Sequence, residues 1–134
     1  IPNFFLKDIN DILEIDKKWK WTWHDKLIVD LPNKTKVFFT HHFKSNVIAS
    51  AKELGMSYVS GHQHTLSQLT LISHPLALNF AMCVGSSINP KHEAFKYGKN
   101  FIKRPIISVG AIINNQPVIY AMPLDNNGEW TGAI

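Results

Sequence analysis

The sequence predicts a single α/β (α+β) domain, residues 1–134, that turns mostly to β after residue 69. Three observations predict it. Residues 36–60 read as strand, helix and strand, with polar residues at both strand ends. Four apolar, β-rich runs follow residue 69, separated by turn residues. Eight Phe and four Trp, with 45% hydrophobic residues overall, supply enough apolar surface for one core.

Taken in order, "FFLKDINDILEID" (4–16) spaces Phe5, Ile9, Ile12 and Leu13 as one face of an amphipathic helix. "KWKWTWH" alternates Trp19, Trp21 and Trp23 with polar residues. That period of two predicts a strand with one aromatic face, packed in the core rather than stacking nucleic-acid bases. "KLIVDL" continues as a strand to Pro32, and "LPNK" is a turn. "KVFFT" (36–40) is a short buried strand ending at His41 and His42. In "SNVIASAKELG", Ser45 or Asn46 is the N-cap, Ile48, Ala51 and Leu54 share a face, and Gly55 stops the helix. "MSYVS" is the next strand, ending at Gly61 and His62. "LTLIS", "LNFAMCVG", "PIISVGAII" and "PVIYAMPL" are the later strands, with hairpin turns at "NNQP" (114–117) and "DNNGEW". Residues 89–104 read as a loop or short helix carrying Lys91, Lys96, Lys99, Lys103 and Arg104.

Charge and composition narrow the function classes. Fourteen Lys and Arg against ten Asp and Glu leave a net charge of +4, which favours anionic partners such as phosphate esters or nucleic acid. Lys99, Lys103 and Arg104 are the candidate phosphate or nucleic-acid contacts, against a solvated basic face. No apolar run is long enough for a membrane span, and no secretory leader is visible. The one cysteine, Cys83, cannot form an internal disulfide, which fits a reducing, cytoplasmic compartment. The chain begins at Ile1 rather than Met.

The chemistry concentrates in "SGHQHT" (60–65). Neutral imidazole binds Zn, Mn and Fe. In extended backbone a His-x-His pair aims both rings to one side, and Gly61 permits a sharp turn ahead of them. Parallel strands joined by one helix would bring His41 to the same sheet edge as His62 and His64. Open α/β sheets collect their sites at such an edge. The competing reading is of strand-end polar residues that hydrogen-bond locally. His42 either supports a ligand from behind or is a solvated neighbour. His24, His74 and His92 show no partner pattern.

"VFFTHHF", a helix and then "YVSGHQHT" resemble the C-terminal half of the calcineurin-like metallophosphoesterases. The tail from "RPIISVG" onward resembles the closing hairpin of phage-type members. Together the resemblance spans roughly residues 19–134. It implies the C-terminal part of a two-sheet αββα sandwich, two divalent metal ions (Mn, Fe, Zn or Mg) and phosphoester hydrolysis by a metal-bridging hydroxide. His41 and His62 would then ligate one metal and His64 the other, with His42 and Gly61 behind them. The family's Asp-x-His, Gly-Asp-x-x-Asp and Gly-Asn-His-Asp/Glu motifs do not occur here. The sequence thus reads as the back half of an enzyme, inactive alone, whose partner is an N-terminal half or another chain. No catalytic residue is assigned within it. The alternative is a non-catalytic phosphoesterase-like domain that binds a protein partner.

Overall fold

Residues 31–35 reverse the chain between β1 (Lys26–Asp30) and β2 (Lys36–Thr40). Pro32 and Asn33 occupy the turn, Asn33 Oδ1 accepts from the Thr35 N–H at 3.0 Å, and Lys34 takes a left-handed φ of 66°. Asp30 and Lys36 face each other at the closed end and pair at 2.6 Å. The computed structural model describes residues 16–87, 105–127 and 129–132. The predicted helix over 4–16 and the segment 89–104, with Lys99, Lys103 and Arg104, fall outside them, apart from Asp16.

Helix α1 (Val47–Leu54) follows β2. Asn46 is its N-cap, accepting from the Ala49 N–H, and Gly55 ends it at φ 66°. Both residue types suit their positions: the Asn oxygen satisfies an orphan donor, and glycine enters left-handed backbone without a Cβ penalty. β3 (Ser57–Ser60) is buried along its whole length. β4 (Ser67–His74) and β5 (Ala77–Val84) form a hairpin across Pro75 and Leu76. β6 (Ser108–Ile113) and β7 (Gln116–Ala121) form a second hairpin, turned by Asn114 and Asn115 at φ 50° and 65°. Two left-handed residues are what a tight hairpin turn requires, and Asn tolerates them.

The first five strands make one sheet in the order β1-β2-β3-β5-β4. β2, β3 and β5 run parallel at its centre, and the outer strands are antiparallel. α1 covers one face, over Tyr58, Ala81 and Cys83. The β6–β7 hairpin covers the other, with Ile112 and Ile119 packed on Val37, Val59, Phe80 and Met82. Central parallel strands covered on both sides carry apolar residues without alternation, which is why "VFFT" and "MSYVS" read as continuous runs. The fold is therefore mixed α+β, dominated by strands in two sheets.

The tryptophan run departs from its expected strand. Lys17–Trp19 form a 3-10 turn, and 20–24 belong to no strand. Lys20 at φ 47° breaks the extended path that period-two alternation needs. Trp19, Trp21 and Trp23 are 66%, 55% and 48% exposed, so among the described residues they are not core. Trp21 and Trp23 stack with ring centroids 6.2 Å apart. Among the described residues, no helix is long and apolar enough to cross a membrane.

Candidate metal centre

Parallel pairing of β2 with β3 sets Phe39 beside Val59. The residues that follow each strand therefore leave the sheet at the same edge. His41 and His42 leave from β2, Gly61 and His62 from β3. His62 Nδ1 lies 3.0 Å from His41 Nε2, a hydrogen bond in which one ring donates to the other. Their rings meet edge to face, centroids 5.0 Å apart. His42 is closer still to His62, with centroids 4.2 Å apart and planes tilted by 44°. The structure thus places His42 against His62. His64 is half-buried one turn further on, and its carbonyl accepts from the Ile106 N–H at 2.8 Å.

Both loops are tied down by groups that spacing does not reveal. The buried Tyr58 hydroxyl accepts from the Phe43 N–H at 3.1 Å, fixing the chain just beyond His42. Gln63 Nε2 donates to the Ser45 carbonyl. Cys83 Sγ, buried in β5, donates to the Leu66 carbonyl at 3.3 Å and lies 3.8 Å from the Gln63 carbonyl. Gly61 does not adopt positive φ, and a Cβ there would make only an ordinary 3.5 Å contact with Val84. The sharp turn expected at Gly61 is therefore not what aims the rings; the register of β2 and β3 does that. Outside the cluster, His24 Nε2 meets Thr22 Oγ1 at 3.2 Å, and His74 Nδ1 accepts from the Leu76 N–H within the β4–β5 turn. His92 is outside the described residues.

Among the described residues, no group of three or more His, Cys, Asp or Glu side chains is placed to hold a metal ion. The spacing of the His41 and His62 nitrogens is one that a hydrogen bond and a shared ion would both give. Two nitrogens each roughly 2.0–2.1 Å from a zinc, subtending roughly 90–110°, lie about 2.8–3.4 Å apart. The observed 3.0 Å is within that span. Desolvation among the crowded rings, then repulsion from His42, His41 and His64 when these are protonated, holds the His62 imidazole below its ordinary 6.5. It stays neutral, as a ligand must, to lower pH than a free histidine.

The same shift has a consequence for stability. An unfolded imidazole takes up its proton near 6.5, whereas folded His62 resists it. The stability that His62 contributes is present above that value and is lost as pH falls through the folded-state value. Urea midpoints are expected to drop between pH 7.5 and pH 5, and to drop less in His62→Ala. Equal slopes in the two proteins would remove His62 as the cause.

Comparisons with protein-family models, with curated proteins and with solved structures gave no match.

Proposed function

We propose that this chain supplies the histidine half of a two-metal phosphoester hydrolase centre, of the calcineurin-like metallophosphoesterase kind. The observation that carries the reading is the 3.0 Å approach of His41 Nε2 and His62 Nδ1 at the common edge of parallel strands. His41 and His62 would hold one divalent ion and His64 would contribute to the second. A sheet covered by α1 on one face and by a β-hairpin on the other supports the C-terminal part of an αββα sandwich. When bound, such ions stabilise the negative charge that develops on phosphoryl oxygens. The chain's own contribution is to hold two imidazole nitrogens at ion-sharing distance where two parallel strands end. The carboxylate ligands of the family are not in this sequence, so they come from another segment or another chain. The net charge of +4 favours an anionic phosphoester and is compatible with a nucleic-acid phosphodiester.

A second reading, a non-catalytic phosphoesterase-like domain docking a protein, is favoured by one feature. Val109, Ile113 and Tyr120, on the outward face of β6–β7, are 54%, 50% and 39% exposed. The deciding experiment assays the intact protein with Mn²⁺ or Zn²⁺ on bis(4-nitrophenyl) phosphate and 4-nitrophenyl phosphate. Turnover that EDTA abolishes and metal restores is the expected result. Absence of both turnover and metal uptake overturns the hydrolase and leaves the docking domain.

A further inference from the structure

The histidines sit on two loops, 41–46 and 61–66. The first is anchored at both ends. Tyr58 holds it at the Phe43 N–H, and Asn46 begins α1. The second leaves β3 after Ser60 and rejoins the sheet only at Ser67. Within it, the Leu66 N–H donates to the Gln63 carbonyl at 3.1 Å, and Cys83 supports the same turn from below. These contacts shape the second loop internally and fix it to β5, but they do not set its distance from the first.

We propose that Gln63 is a positioning residue: its amide spans the two loops and sets the separation of His62 from His41. Gln63 stands between His62 and His64 in the chain, and its Nε2 donates to the carbonyl of Ser45, the residue just before the N-cap. Among the described residues, the loops also meet through the His41–His62 hydrogen bond and the His42–His62 ring contact, all between exposed rings. The ring–ring hydrogen bond is lost when both nitrogens turn toward an ion. The amide strut survives that event. It also requires a donor: a carboxylate of the same length would set oxygen against the Ser45 oxygen. The role of the strut toward an ion rests on the metal-centre reading above; its geometric role does not.

The test compares Gln63→Met and Gln63→Glu with the wild type in the intact protein. Co²⁺ is the probe, titrated by its visible absorption. Thermal midpoints are read by circular dichroism. Nuclear Overhauser contacts between the His41 and His62 rings are read without metal. Both variants are expected to unfold within a few degrees of wild type, to bind Co²⁺ about tenfold more weakly, and to lose the ring contacts. Charge alone predicts the opposite for Gln63→Glu, since an added carboxylate attracts a cation. Weakening in both variants therefore isolates position from charge. Unchanged Co²⁺ affinity with unchanged ring contacts overturns the proposal. Should the wild type take up no Co²⁺, the metal reading falls, and the ring contacts alone decide: their loss in Gln63→Met supports the strut, and their persistence overturns it. If Gln63→Met does not fold, Gln63→Glu, which keeps the side-chain length, carries the same comparison.

Discussion

Replacing His62 with alanine is expected to lower divalent-cation affinity by at least about a hundredfold while leaving the fold intact. The magnitude follows from its place in the cluster. Its Nδ1 is the atom 3.0 Å from His41 Nε2, so the variant removes one of the two donors at ion-sharing distance. Outer-shell partners alone account for about 10–100-fold in metal affinity, and a ligand exceeds them. The fold should survive because His62 is exposed and its ring contacts are with other exposed histidines, His41 and His42. Isothermal titration with Zn²⁺ or Mn²⁺, beside a thermal melt, measures both quantities. Wild-type stoichiometry in the variant takes His62 out of the ligand set. The same titration separates His42 from His64. Under the assignment made here, His64→Ala loses one ion and His42→Ala stays within about threefold of wild type. The reverse pattern, in keeping with the 4.2 Å approach of the His42 and His62 rings, makes His42 the ligand instead.

Gly85→Ala is expected to be the most destabilising single-methyl change among the described glycines. Gly85 leaves β5 at φ 67°, backbone that costs an L-residue about 1–2 kcal/mol. A Cβ there would also fall 2.6 Å from Ser108 Oγ and 2.7 Å from the Ile106 carbonyl. Neither obstacle yields easily. Ser108 Oγ donates to the Val84 carbonyl at 2.6 Å, and the Ile106 carbonyl accepts from the Ser86 N–H at 2.9 Å. Overpacking of this kind adds about 1–3 kcal/mol, for a total of about 3 kcal/mol. That corresponds to a fall of about 10 °C in the thermal midpoint. Two companion variants separate the causes. Gly55→Ala, at φ 66° with nothing within 4 Å of its Cβ, carries the backbone cost alone. Gly110→Ala meets the Val84 side chain at 2.5 Å without positive φ, so it carries packing alone. Gly85→Ala should exceed both. A loss no larger than that of Gly55→Ala would mean that the β5–β6 junction gives way freely.

The parts of this molecule legible in the sequence are those written in periodicity and end signals. Asn46 and Gly55 bound α1 because caps have a local chemistry that survives any tertiary setting. The approach of His41 and His62 could be anticipated because a strand–helix–strand unit delivers both strand ends to one edge. The clamps were not legible. Tyr58 reaches Phe43 across 15 residues, Gln63 reaches Ser45 across 18, and Cys83 reaches Leu66 across 17. Each joins a side chain to a distant backbone atom, a pairing that leaves no spacing to count. Cys83 read only as a lone thiol with no disulfide partner. The tryptophans failed for a different reason. Their alternation is a true strand pattern, but it says nothing of the left-handed turn at Lys20 that ends extension.

The position of β3 bears on the order in which the molecule assembles. β1 with β2 and β4 with β5 are neighbours in sequence, each closing a short loop, and such pairings form first because little chain entropy is lost. β3 has no hairpin partner. It joins β2 across α1 and β5 across β4, so it is the keystone that welds two pre-formed halves into one sheet. His41 arrives on one half and His62 on the keystone itself. In that order of assembly, His41 and His62 are expected to meet only when β3 docks, and a chain stalled before then would hold the two rings apart.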